Sequence, residues 1–252
     1  MEKHNSGNSA GKLYVVGIGP GGPEDRTRQA EKAITESNVV AGYKMYLDLI
    51  KDLTEGKEII SSGMTREVER CRAALESAAQ GNVVALVSSG DAGIYGMAGL
   101  ALELNHSLGL GVTVETIPGV TSATAAAARL GSPLMLDFAV ISLSDLLLSW
   151  EIIQKRIEAT AGADLVLALY NPKSKKRSLH LEQTAAILRN HRPGSTPVGI
   201  VTDAGRPDEK IVLTDLDNLL TAEINMRSVV IIGNSTSKII EGKFITPRGY
   251  QI

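Results

Sequence analysis

The sequence is poor in the residues that build covalent or metal-held scaffolds. Its 252 residues include one cysteine, Cys71, so no disulfide can form within the chain. A reducing, cytoplasmic setting fits that usage. Four histidines (His4, His106, His180 and His191) are scattered and offer, with the lone cysteine, no zinc-ligand spacing. Charge of one sign is also lacking. The 26 basic and 28 acidic residues leave a formal net charge of −2, which gives no global electrostatic case for a nucleic-acid partner. No apolar run reaches the ~18 residues needed to span a bilayer, so no membrane partner is expected. The opening residues MEKHNSGNSAGK contain no apolar stretch. They read as a disordered tail over residues 1–11 and not as a secretory signal.

What the chain does have is core material. Hydrophobic residues make up 43% and charged residues 21%, enough for one large domain or two modest ones. A buried strand is expected at 13–17, closed by the glycine loop 17–22. A helix over 26–37, capped by Asp25, leads to a strand at 39–41 and a helix over 43–51. The next helix, 65–80, is expected to be capped by Thr65 and to bury Val68, Cys71, Leu75 and Ala79. A strand at 82–88 precedes the loop Ser89-Gly90-Asp91-Ala92-Gly93, a helix over 94–104, a strand at 112–117 and a helix over 121–130. This alternation argues for a mostly parallel sheet in an N-terminal α/β domain over 12–131, with its glycine loops at the carboxyl edge. Ser132-Pro133 marks a boundary. The second α/β domain, 132–252, is expected to hold strands at 138–142, 164–170, 198–202, 210–213 and 229–232. Two helices, 149–160 and 179–190, join them. Its last strands have little helix between them, so a mixed sheet is expected there.

Gly17-x-Gly19-x-x-Gly22 fits the dinucleotide fingerprint, which keeps an NAD(P)-dependent oxidoreductase as an alternative. Three details oppose it. Pro20 removes an amide donor, Glu24 and Asp25 place negative charge where pyrophosphate belongs, and no acidic residue ends the second strand. Gly7 to Lys12 resembles a phosphate loop by chance: its spacing is one residue short and no strand precedes it. Ser88-Ser89-Gly90-Asp91-Ala92-Gly93-Ile94-Tyr95-Gly96 is more informative. Its density of small residues points to close backbone approach to a ligand. Pro118-Gly119-Val120-Thr121-Ser122 opens an alanine-rich helix. Lys173, Lys175, Lys176 and Arg177 form a basic run after Tyr170-Asn171 at a strand end, suited to a polyanionic ligand.

These stretches carry a family resemblance. VVGIGPGGPED, GMTREVERCRAALE, ALVSSGDAGIYGMAG, IPGVTSATAAAARLG, DFAVISLSDLL, ALYNPKSKKR, PVGIV and TPRGY resemble the tetrapyrrole methyltransferases of the cobalamin pathway, which use S-adenosylmethionine. SGDAGIYGMAG, SLSDLL and YNPKSKKR are similar to the branch that methylates C17 of precorrin-3B or cobalt-factor III and contracts the macrocycle. The likeness spans about Leu13 to Tyr250. Two positions depart from the family pattern: Leu136 stands where His is usual, and Thr202-Asp203-Ala204-Gly205-Arg206 stands where RNAGR is usual. A non-catalytic tetrapyrrole-binding homologue therefore remains a further alternative.

The resemblance implies two α/β domains with the cofactor cleft between them, and a homodimer. It implies S-adenosylmethionine contacts at Pro20, Ser89, Gly90, Asp91, Ile94, Thr121, Ser122, Tyr170, Asn171, Ala204 and Thr246. No metal is implied. Ring contraction needs a proton acceptor, for which Asp91, Tyr95, Asp137 and Asp145 are the candidates. A polycarboxylate substrate suits Arg129, Lys173, Lys175, Lys176 and Arg206.

Overall fold

A computed structural model describes residues 11–174 and 177–251. Residues 1–10 of the tail expected over 1–11, with most of the chance phosphate-loop match, lie outside the described residues, as do Lys175 and Lys176, while Gly11 is described and buried. The chain divides into two compact units, the first ending at Thr121 and the second beginning at Ser122. The alanine-rich helix thus goes with the second unit, ten residues ahead of the Ser132-Pro133 boundary, because it packs on that unit's main sheet. No helix among the described residues is long and apolar enough to cross a membrane.

The first unit runs β1 (Lys12–Gly17), α1 (Arg28–Glu36), β2 (Val39–Tyr43), α2 (Lys44–Asp48), β3 (Glu58–Ser62), α3 (Glu67–Ala79), β4 (Val83–Ser88), α4 (Ala98–Ser107) and β5 (Thr113–Ile117). Its five strands lie in the order β3-β2-β4-β1-β5. All four pairings are parallel. Apolar runs such as Val-Val-Ala-Leu-Val in β4 fit this arrangement, because a parallel sheet is covered on both faces. Ala30, Ala33 and Ile34 of α1 pack with Val16, Val40, Ala85 and Val87 on one face. Cys71, Ala74 and Leu75 of α3, with Ala98 and Ala101 of α4, pack with Leu13, Val15, Val84 and Leu86 on the other. The helices that follow the adjacent strands β1 and β4 therefore leave toward opposite faces. The crevice between those strand ends is the topological switch point, where open α/β sheets bind ligands.

Several local expectations are corrected. Thr27, not Asp25, caps α1: its hydroxyl accepts from the Ala30 amide, and Pro23–Asp25 form a separate 3-10 turn. Thr65 does not cap α3, since its φ of +65° turns its hydroxyl onto the Met64 carbonyl. The buried stripe of α3 is Arg70, Cys71, Ala74, Leu75 and Ala78, while Val68 and Ala79 are exposed. The helix expected from 94 begins at Ala98, because residues 91–97 form the loop that shapes the site. Strand β3 has no counterpart among the strands expected from sequence.

The second unit runs α5 (Ser122–Leu130), β6 (Gly131–Ser132), β7 (Phe138–Ser142), α6 (Trp150–Gly162), β8 (Val166–Tyr170), α7 (His180–Arg189), β9 (Pro197–Thr202), β10 (Lys210–Asp215), β11 (Ser228–Ile232), β12 (Lys238–Ile240) and β13 (Lys243–Ile245). Its main sheet has the order β10-β9-β11-β8-β7. Only β7 and β8 are parallel, and the pairings of β8, β9, β10 and β11 with one another are antiparallel. The mixed sheet expected from sequence is present. Helices α6 and α7 cover one face through Ile153, Ile157, Leu181 and Leu188. Helix α5 packs against β9, β10 and β11, where Gly199 makes room for Leu130. That contact holds the alanine helix in this unit. A small additional sheet is formed by β12, β13 and β6.

Candidate functional site

The ends of β1, β4 and β5 are tied into one structure at the switch point. Gly19 and Gly90 exchange amides and carbonyls at 3.1 and 2.8 Å, and the Ile18 amide donates to Ser88 at 2.9 Å. Asp91 makes the third link. Its carboxylate accepts from the Gly93 amide at 2.8 Å and from the Gly119 amide at 2.9 Å, joining the loops after β4 and β5. Glycine is required where these loops touch. A Cβ on Gly17 would lie 2.7 Å from the Gly90 carbonyl oxygen and 2.8 Å from the Gly119 nitrogen. The cofactor candidates Pro20, Ser89, Gly90, Asp91 and Ile94 all stand on these joined loops, with Thr121 two residues past Gly119. Ile94 and Tyr95 face outward at 38% and 58% exposure.

This geometry is unfavourable for a dinucleotide phosphate. The Gly19 amide is spent on Gly90 and the Ala30 amide of α1 on Thr27. Pro20 has no amide to offer. What remains is a compact edge of small residues with few free donors. Such an edge suits an uncharged ligand surface better than a pyrophosphate.

In the second unit, Tyr170 ends β8 and its hydroxyl accepts from the Ala123 amide at 2.8 Å, filling the first turn of α5 beside Ser122. Asn171 follows with φ of +50° and donates to the Ser142 hydroxyl at 3.0 Å. The loops after the parallel strands β7 and β8 are thereby joined. Ala204 is buried after β9. Thr246 is fully buried, its hydroxyl 2.8 Å from that of Ser237. Six non-glycine residues among those described have positive φ; of these, Asn171 and Asp203 directly follow β8 and β9, and Tyr95 lies in the loop between β4 and α4. Such strain clusters at functional loops.

The candidate proton acceptors separate. Asp91 is committed to two amides. Asp145 is neither a helix cap nor an unengaged base: it sits 3.0 Å from His180 and 3.9 Å from Arg177. Partial burial pushes its carboxyl up, but the hydrogen bond from His180 and the charges of His180 and Arg177 outweigh this. The carboxyl is held below its ordinary value, which weakens it as a base. Asp137 is exposed ahead of β7. Tyr95 stands in the switch-point loop.

The basic groups are less available than their sequence suggests. Arg129 pairs with Glu209 at 3.2 Å, and Arg206 lies 3.7 Å from the buried Asp203, which also meets Arg227 at 3.0 Å. Arg177 is buried and donates to the Leu143 carbonyl at 3.0 Å, so it braces the joined loops. Lys173 is exposed.

This architecture is shared with known proteins. Residues 12–220 match the family model of the tetrapyrrole (corrin/porphyrin) methylases. The chain belongs to that family. A Salmonella typhimurium relative named probable cobalt-factor III C(17)-methyltransferase is 49% identical over 240 residues, covering 95% of this chain and 100% of that protein. A Methanocaldococcus jannaschii protein of the same name is 43% identical, covering 94% and 97%. A Priestia megaterium cobalt-factor III methyltransferase is 47% identical, but this chain spans only 45% of it. Among solved structures, the methyltransferase CobJ superposes with a TM-score of 0.88 at 33% identity, covering 94% of this chain and 100% of CobJ. A Thermus thermophilus uroporphyrin-III C-methyltransferase complexed with S-adenosylhomocysteine gives 0.67 at 26% identity, covering 88% and 92%. Sequence reasoning has no signal for the Asp91–Gly119 bond or the Tyr170–Ala123 bond, because each joins distant segments.

Proposed function

We propose that this tetrapyrrole methylase transfers a methyl group from S-adenosylmethionine to C17 of cobalt-factor III, or of its metal-free counterpart precorrin-3B, with contraction of the macrocycle. The observation that carries this is likeness along the whole length of relatives named for C17 methylation of cobalt-factor III. The cofactor supplies an electrophilic methyl on a sulfonium. The protein's part is placement and exclusion of water, because positive charge disappears from sulfur as the methyl moves to carbon. Positioning alone can supply about 7–11 kcal/mol at best, and no covalent nucleophile is needed.

The switch-point loops do the placing in this reading. Asp91 fixes the relative position of the β4 and β5 loops, and the Gly19–Gly90 pairing fixes β1 against β4. Tyr170 and Asn171 hold the corresponding edge of the second unit. We assign the proton transfer of ring contraction to Tyr95, whose exposed phenol stands in the switch-point loop after β4. A homodimer in the cytoplasm completes the proposal, in keeping with the single buried cysteine.

The test is mass spectrometry and NMR of products formed from cobalt-factor III and from precorrin-3B with methyl-labelled S-adenosylmethionine. One labelled methyl at C17 and a contracted ring are expected. A labelled product with an intact ring removes the contraction step. Absence of label, with NAD binding and no response to S-adenosylhomocysteine, overturns the proposal.

A further inference from the structure

A cavity of about 480 Å³ opens at the carboxyl ends of β2 and β3, lined by Tyr43, Lys44, Met45, Asp48, Ser61, Ser62 and Gly63. The strand register sets Tyr43 directly beside Ser62. Behind this wall lies Arg70 of α3, only 5% exposed. Its Nη1 donates to the Ser62 hydroxyl at 2.7 Å and to the Gly63 carbonyl at 3.3 Å. Its buried Nε has no hydrogen-bond partner. No carboxylate pairs with Arg70 among the described residues, whereas the side chain of Arg26 meets Asp52 at 2.6 Å.

A buried guanidinium without a counter-charge is costly, and buried charges are normally paired. The Ser62 hydroxyl accepts from Arg70, which leaves its own proton to be donated. That proton is polarised by the cation behind it. Lys44 adds a second positive charge at the rim. The one carboxylate in the lining, Asp48, is already paired with Lys51 at 2.9 Å. Ser61, Ser62 and Lys44 therefore present donors with positive charge behind them, and the neutralising partner is missing.

We propose that this cavity is an anion subsite that takes a carboxylate through Ser62 and Lys44, with Arg70 as the positioning charge beneath Ser62. Given the function proposed above, on which this assignment rests, the carboxylate is one of those on the periphery of the tetrapyrrole. The cavity lies on the same sheet edge as the switch-point loops, with β4 standing between β2 and β1.

The full chain is titrated with uroporphyrin I, a stable fluorescent tetrapyrrole bearing eight carboxylates, and separately with S-adenosylhomocysteine. Ser62→Ala with Lys44→Gln should weaken uroporphyrin binding at least tenfold and leave S-adenosylhomocysteine affinity within twofold. Lys32→Gln, on the exposed surface of α1, controls for general loss of positive charge and should bind as the wild type does. Arg70→Gln is expected to behave like the double variant if circular dichroism shows it folded. The double variant does not depend on that outcome. Uroporphyrin binding that is absent in the wild type, or equal in the wild type and the double variant, overturns the subsite. A loss confined to S-adenosylhomocysteine also overturns it, because the anion would then be the cofactor's own carboxylate. Turnover of cobalt-factor III separates the two proposals. Wild-type turnover with an unchanged KM in the double variant overturns the subsite alone. No wild-type turnover, with the uroporphyrin effect present, overturns the function and leaves the anion site standing.

Discussion

Asp91 offers a direct test of whether the switch point is held by the hydrogen bonds described. Its two oxygens divide the work: Oδ1 accepts from Gly93 and Oδ2 from Gly119. Asp91→Asn preserves shape and one acceptor but turns an amide group toward one of the two N–H donors. One charge-assisted bond is lost, typically about 1.5–3 kcal/mol, and the lower end applies because Asp91 is only half-buried. The β4 and β5 loops would then loosen relative to each other. S-adenosylhomocysteine affinity, measured by calorimetry, should fall about tenfold, equivalent to ~1.4 kcal/mol. The urea midpoint should fall in step. At saturating cofactor, kcat should drop by about tenfold or less. A proton acceptor would behave differently, losing kcat by about 10²–10⁴ with affinity intact. That second pattern refutes the anchoring role.

Other outcomes follow from the same geometry. Tyr95→Phe should lower the rate of ring contraction by about 10²-fold or more while S-adenosylhomocysteine binding stays unchanged, measured by stopped-flow absorbance and calorimetry. Arg177→Gln should cost about 1–3 kcal/mol in urea unfolding through the lost bond to the Leu143 carbonyl, whereas Lys173→Gln should cost almost nothing. Burial pushes the Cys71 thiol up to about 11, so thiol reagents at pH 8 should label it only in urea. Since its neutral form is the favoured one in the fold, that contribution to stability holds below the ordinary thiol value and is lost as pH rises toward 11. Asp145 has the opposite sign: its lowered carboxyl favours the fold above the ordinary carboxylate range and loses that effect in stronger acid. Asp145→Asn should therefore flatten the acid limb of a stability–pH curve.

The parts of the fold that show in the sequence are those set by local pattern. Apolar runs closed by glycine mark β1 and β4, and the lack of helix between the last strands foretells the mixed sheet. Edge strands are harder. In β3 the sequence Glu-Ile-Ile-Ser-Ser is mostly exposed and offers no buried run. Strand β6 is two residues long and exists only because β13 reaches it. The stripe of α3 differs from the expected one because Arg70 takes a buried position that hydropathy assigns to an apolar residue. The same substitution of charge for apolar bulk is what marks the neighbouring cavity. At the site, small-residue loops are legible by composition, but the roles of Asp91, Asp145 and Arg177 depend on partners 28 to 35 positions away. No local pattern encodes such pairs.

The glycine loop after β1 shows why one motif serves two chemistries. In a dinucleotide site the loop amides must point outward, unpaired, beneath a bare helix N-terminus. Here β4 stands next to β1, and its own glycine turn faces the first. Gly19 and Gly90 consume each other's amides, Thr27 closes α1, and Pro20 removes a further donor. The loop becomes a wall against which a ligand can lie, without the donors of a phosphate cradle. Glycine at position 17 is set by this approach of three strand ends, since any Cβ there would come within 2.7 Å of the Gly90 oxygen. The feature that separates the two chemistries is the partner loop of β4, far downstream in the chain. Its Ser-Gly-Asp turn supplies both the Gly90 pairing and the Asp91 carboxylate.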